Sequence, residues 1–160
     1  MRIKERLEAQ AEIFGSVFLL SLHLAHRTDV AMSTLDVTTK QWLLLVILVK
    51  KFSGQDPTLS EAARWYGASR QNVKQIARQL EDRGYLRLVP DPKDRRALLL
   101  QLTEKVRVFD EPDERIRQAS LMNELFFGFT ENDLQCLRTL MSRWLTALTP
   151  AEPDREGMEE

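Results

Sequence analysis

The chain has 160 residues, 43% of them hydrophobic and 29% charged, with a formal net charge of −1. That is the size of one domain, or of one domain with an accessory part, and it carries enough apolar material for a packed core. A near-zero net charge argues against indiscriminate nucleic-acid binding, and the longest apolar run, WLLLVILV at residues 42–49, is far short of the ~20 residues that span a bilayer, so no membrane partner is expected.

The opening stretch, MRIKERLEAQAEIF, breaks its apolar positions with charges and offers no small-residue cleavage site, so no signal peptide is expected. Residues 2–27 read as one long helix. Ile3, Leu7, Phe14, Val17, Phe18, Ser21, Leu24 and Ala25 recur at spacings of three and four and form one mostly apolar stripe. Thr38-Thr39-Lys40-Gln41 is a capping box that opens a second helix, which runs through the apolar segment to about residue 51. Residues 52–57, with Ser, Gly, Asp and Pro, form a loop.

Ser60 begins a short helix, SEAARWYG, that Gly67 closes in a left-handed cap. Ser69 then caps another helix that runs to Arg83 and is stopped by Gly84. Two short helices joined by a tight turn make a helix-turn-helix. The second of them turns Val73, Ile76, Ala77 and Leu80 inward, which leaves Gln71, Lys74, Gln75 and Arg78 on a polar, basic outer face. The period next changes to two. Residues 85–89 and 97–102 alternate around Pro90-Asp91-Pro92-Lys93-Asp94-Arg95-Arg96, the pattern of a β-hairpin with a polar, cationic tip. Beyond Thr103 helical periodicity returns: Pro112 kinks or restarts a helix, Gly128 breaks it, and Thr130 with Asp133 opens a last one. The fold expected is mainly α (α+β). A winged helix-turn-helix occupies residues 35–103 between helical regions at 1–34 and 104–149, and residues 150–160 form an acidic, disordered tail.

Charge is unevenly spread along this plan. Residues 60–96 hold nine basic and five acidic side chains, a surplus of four positive charges, whereas residues 150–160 hold five acids and one arginine. A local basic patch on a near-neutral chain is the footprint of a surface that docks on phosphates in one place. The single cysteine, Cys136, rules out an internal disulfide framework and fits a reducing cytoplasm, the expected location. His23 and His26 stand three apart without Cys, His or carboxylate partners at metal-ligand spacing. Neither catalysis nor a metal or other cofactor is therefore expected.

Several segments resemble the MarR family of bacterial winged helix-turn-helix transcriptional regulators. Leu35-Asp36-Val37-Thr38-Thr39-Lys40-Gln41-Trp42 is similar to the opening of that family's second helix. Leu59-Ser60-Glu61-Ala62-Ala63 and the run SRQNVKQIARQLEDRGYL from Ser69 are similar to its helix-turn-helix, and Asp91-Pro92-Lys93-Asp94-Arg95-Arg96 followed by Leu102-Thr103 to its wing. Two features depart from the pattern: Val106 stands where the family usually has glycine, and Pro112 follows it.

On the residues themselves, Gln71 and Gln75 suit adenine, Lys74 and Arg78 suit guanine or phosphate, and Ser69 and Arg70 lie at a helix N-terminus whose free N–H groups favour a phosphate oxygen. The rival account of Arg78 and Arg83 is pairing with Glu81 or Asp82 on an exposed helix. Lys93 and Arg95 add phosphate contacts from the wing. The resemblance implies that Arg96 enters the minor groove while Asp94 orients it. It also implies a homodimer whose terminal helices interleave, and a cleft for a small aromatic effector, with Phe14, Phe18, His23, His26 and Trp42 as the nearest candidates. The expected function is a sequence-specific, ligand-responsive repressor that binds double-stranded DNA at a pseudo-palindromic operator. The alternative is a winged-helix adaptor for protein interaction, or a degenerate relative without specific DNA binding.

Overall fold

Hydroxyl caps fix where four helices of this molecule begin, and the sequence between them determines how the helices pack. The computed structural model describes residues 3–149. The acidic stretch 150–160, expected to be disordered, lies outside the described residues, as does Arg2 at the expected start of the first helix. In chain order the helices are α1 (Ile3–Ala31), α2 (Thr39–Phe52), α3 (Leu59–Tyr66), α4 (Arg70–Asp82), α5 (Pro112–Leu125) and α6 (Glu131–Leu148). Strands β1 (Leu86–Pro90) and β2 (Leu98–Leu102) follow α4, and 3-10 turns occupy Ser33–Leu35 and Glu104–Asp110.

The capping box at Thr38 forms: Thr38 Oγ1 accepts from the Gln41 amide at 3.4 Å, and the Thr38 amide donates to Gln41 Oε1 at 3.0 Å. A second box corrects the expected start of α3. Thr58, not Ser60, is the cap, because Glu61 reaches back to the Thr58 amide at 2.8 Å. Ser69 caps α4 by accepting from the Asn72 amide at 3.2 Å, and Gly67 (φ +71°) closes α3 in the left-handed conformation. Pro112 restarts a helix. It occupies the first turn of α5, where a missing N–H costs nothing and the fixed φ suits the helix.

The core lies within the expected winged unit. Leu44, Leu45 and Leu48 of α2 pack with Leu59, Ala62 and Ala63 of α3, with Val73, Ile76, Ala77 and Leu80 of α4, and with Tyr85, Leu86 and Leu100 of the hairpin. Each fully buried leucine among them stabilises the fold by about 1.5–3 kcal/mol relative to exposure. The strands pair antiparallel with Leu86 opposite Leu102, Leu88 opposite Leu100 and Pro90 opposite Leu98. The hairpin is anchored on its inner edge by Leu100 N–H, which donates to the Pro57 carbonyl at 2.9 Å. On the outer edge Glu81 Oε1 accepts from Leu88 N–H at 2.8 Å, so the open strand edge is capped.

The terminal helices are different. Neither α1 nor α6 has a buried residue, and α5 buries only Glu114, whose carboxylate pairs with Arg117 at 2.9 Å. Their apolar residues stand out in this single chain: Phe14, Phe18, Leu22, Leu140 and Leu148 are all exposed. At the family's glycine position Val106 lies in the 3-10 stretch and packs, half-buried, against the core.

Candidate nucleic-acid interface

Helix α4 separates its residues sharply by polarity. Val73, Ile76, Ala77 and Leu80 face the core, whereas Arg70, Gln71, Gln75 and Arg78 are exposed and Lys74 is half-buried beside them. Gln71, Lys74, Gln75 and Arg78 repeat at spacings of three and four, so they share one ridge of the helix. That ridge is long, polar and cationic, which suits it to base edges and phosphates. Ser69 spends its hydroxyl on the Asn72 amide; the first-turn amides of α4 remain as donors at the positive end of the helix dipole.

The wing tip is built from two short polar turns. Asp91 Oδ1 accepts from the Lys93 amide at 2.8 Å, and Asp94 Oδ1 accepts from the Arg96 amide at 2.9 Å. The Ala97 amide donates to the Asp94 carbonyl at 2.8 Å and completes the second turn. Asp94 thus fixes the backbone from which Arg96 projects. Lys93, Asp94, Arg95 and Arg96 are all exposed. None of the cations Arg70, Lys74, Arg78, Lys93, Arg95 and Arg96 has an ion-pair partner among the described residues, so their charge remains free to meet phosphate.

Arg83 does not belong to this set. It pairs with Asp36 at 3.0 Å and donates to the Gln79 carbonyl at 3.1 Å, which ties the end of α4 to the loop before α2. Its partner is 47 residues away, not the neighbouring Glu81 or Asp82. Arg78 pairs with neither of those carboxylates.

Several supporting residues carry no signal in the sequence. Tyr85 is buried at the base of the hairpin; its hydroxyl donates to the Leu35 carbonyl at 2.9 Å and its ring lies under Lys105 Nζ at 4.4 Å. Burial pushes the Tyr85 hydroxyl above its ordinary pKa, and the carboxylates of Asp36 and Glu114 add to the rise. Lys105 donates to the Arg83 carbonyl at 2.6 Å and Thr103 to the Gly84 carbonyl at 2.6 Å, so the wing base is joined to the end of α4. At the start of α2, the Thr39 amide and hydroxyl donate to Asp29 Oδ1 at 2.6 and 2.7 Å. Those bonds, the amide first, hold the Asp29 carboxyl below its ordinary pKa.

The five aromatic and histidine residues considered for an effector lie on α1 and α2. Phe14 and Phe18 form an edge-on pair with ring centroids 4.9 Å apart, and both are exposed, as are His23 and His26. Trp42 is half-buried against the core. A cleft of about 350 Å³ lies elsewhere, lined by Leu48, Gly54, Asp56, Leu100 and Leu102. Cys136 is exposed on α6. Among the described residues no cluster of His, Cys, Asp and Glu could hold a metal, and no helix is long and apolar enough to cross a membrane.

Residues 35–97 match the family model described as the MarR family. A curated relative, the transcriptional activatory protein BadR of Rhodopseudomonas palustris, is 27% identical over 131 residues, which span 79% of this chain and 75% of BadR. The fold is similar to a crystal structure of MarR, with a TM-score of 0.71 at 18% identity over 85% of this chain and 96% of that one. It is also similar to a MarR transcriptional regulator from Methanosarcina mazei Go1, with a TM-score of 0.72 at 18% identity over 86% of this chain and 97% of that one. A third similar structure, reduced AbfR bound to DNA, has a TM-score of 0.62 at 16% identity over 93% of this chain and 100% of that one. The winged segment at residues 35–97 thus matches the MarR family, and the fold that surrounds it is similar to that of solved MarR structures.

Proposed function

We propose that this protein reads double-stranded DNA as a homodimer at a pseudo-palindromic operator and regulates the adjoining promoter in response to a small aromatic effector. The observation that carries the DNA-reading role is the run of free cations on α4 and the hairpin directly after it, on a chain whose net charge is only −1. Ser69, Arg70, Gln71, Lys74, Gln75 and Arg78 engage the major groove and its phosphates. Lys93 and Arg95 contact the backbone, and Arg96, set by Asp94, enters the minor groove. AbfR, whose fold is similar, was solved bound to DNA, which supports DNA binding as such.

Dimerisation through residues 1–34 and 104–149 is supported by α1 and α6, which carry apolar side chains and bury none of them in the single chain. Two-fold symmetry would then set the recognition helices about one DNA turn apart, roughly 34 Å. The effector site is placed where α1 meets α2, around Phe14, Phe18, His23, His26 and Trp42, and a partner subunit completes it. This reading places the protein in the cytoplasm with its DNA and assigns it no enzymatic activity. The sign of regulation has two supports that differ: the family resemblance favours repression, and the name of BadR, an activatory protein, favours activation. A promoter reporter compared in cells with and without the gene separates them.

Salt titration of binding to promoter fragments tests the main claim. Affinity should fall steeply with salt as counterions are released, while a preference over random DNA persists. Absence of binding above random DNA at low salt would overturn the proposal and leave an interaction module without DNA specificity.

A further inference from the structure

Among the described residues, Gln41 and Glu114 are the buried polar or charged side chains of the molecule. Gln41, 2% exposed, sits in the first turn of α2 and uses both ends of its amide. Its Oε1 closes the capping box on the Thr38 amide at 3.0 Å, and its Nε2 donates to Gln79 Oε1 on α4 at 2.9 Å, across 38 residues of sequence. Two residues before it in the same turn, Thr39 is bound to Asp29 of α1 at 2.6 and 2.7 Å. The start of α2 therefore joins α1 on one side to the recognition helix on the other through directional side-chain bonds.

The geometry matters because the rest of the α2–α4 contact is apolar. Leu44, Leu45 and Leu48 against Ile76, Ala77 and Leu80 give attraction without a fixed direction. A hydrogen bond weakens steeply with misalignment, and a buried amide left without a partner is penalised. Gln79 adjoins Arg78 and lies one helical turn beyond Gln75, so any rotation of α4 that broke the Gln41 bond would also swing the face that holds Gln71, Lys74, Gln75 and Arg78. The Arg83–Asp36 pair holds the far end of the same helix but is more exposed.

We infer that Gln41 is a positioning residue for DNA reading: through Gln79 it fixes the rotation of α4 relative to α1, and so sets the half-site spacing that the dimer accepts. The inference rests on the dimeric DNA-reading function proposed above. Its test is site selection from a library of half-sites at varied spacing, run on wild type, Gln79→Leu, Gln41→Leu and the double variant. Thermal melting of each serves as the folding check; Gln79 is exposed, so Gln79→Leu keeps a folded protein even if Gln41→Leu does not. Either single variant is expected to bind the wild-type site about tenfold more weakly and to accept neighbouring spacings, with the double variant no weaker than the singles. Gln79→Leu with unchanged spacing preference overturns the inference. So does an equal loss of affinity from Gln79→Leu in the wild-type and Gln41→Leu backgrounds, which would mean that Gln79 meets DNA itself. A wild-type protein that selects no site would sink the DNA-reading function and the positioning role with it.

Discussion

Arg96 leaves the wing from a turn that Asp94 closes with its carboxylate on the Arg96 amide at 2.9 Å. The guanidinium is exposed and has no ion-pair partner among the described residues, so groove binding costs it no existing contact. Arg96→Ala is expected to weaken operator binding by about 1–3 kcal/mol and to relax any A·T preference at the flanks of the site. Fluorescence anisotropy with a footprint measures both, and unchanged values would reduce the wing to a structural role. Asp29 makes a different prediction, for stability. Its carboxyl titrates below the ordinary 3.8 because the Thr39 amide and hydroxyl bond its charged form. A depressed folded pKa contributes stability that is present above 3.8 and is lost as pH falls through the lower folded value. Urea unfolding should therefore show wild type more stable than Asp29→Asn at neutral pH, with the gap closing in acid below that value. Because Asp29 is mostly exposed, the gap is small; a gap that does not change with pH would show that the charge contributes nothing.

Helix boundaries test how local chemistry decides structure. Thr58-Leu59-Ser60-Glu61 offers two hydroxyls, and only Thr58 stands three residues before Glu61, so the reciprocal box selects it. Thr58→Ala is expected to destabilise the fold by about 1 kcal/mol, whereas Ser60→Ala, at an exposed position inside α3, should change it little. Chemical unfolding of the two variants distinguishes the caps, and equal losses would contradict the assignment. The elements that were legible in the sequence share one property: their signals are short-range. The Thr38 box, the Ser69 cap, the inward set Val73, Ile76, Ala77 and Leu80, and the two alternating strands all lie within one turn or one hairpin. The strands themselves, Leu86–Pro90 and Leu98–Leu102, each start one residue later than the alternation suggests, although the Tyr85 carbonyl still accepts from the Thr103 amide at 3.0 Å. What was not legible depends on distant partners. Gln79 reads as another surface glutamine until Gln41 is brought beside it, and Arg83 reads as a helix-surface cation until Asp36 arrives. Likewise no periodicity announces the 3-10 stretch Glu104–Asp110, whose side chains Val106, Val108 and Phe109 are held by contact with the core.

At the scale of the whole molecule, the winged unit has a core of its own and the terminal helices do not. Residues such as Phe18, Leu22, Leu140 and Leu148 would face water in a monomer, and an apolar surface that extensive on a folded chain marks an interface. A second copy supplies identical unburied stripes, and an isologous contact between them requires no further partner. Sedimentation of the wild type at micromolar concentration is expected to give a dimer, and its melting temperature should rise with protein concentration. Leu140 is 48% exposed in the single chain, so Leu140→Glu leaves the winged core intact while it would set two carboxylates into the face that the proposed dimer shares. That variant should sediment as a monomer with the winged unit still folded. Its affinity for a full operator should drop by roughly 10²–10⁴-fold, because the second half-site is no longer bound at high effective concentration, while affinity for an isolated half-site stays the same. Equal loss on full and half operators would place Leu140 within the fold rather than between copies, and a wild-type monomer would overturn the dimer outright.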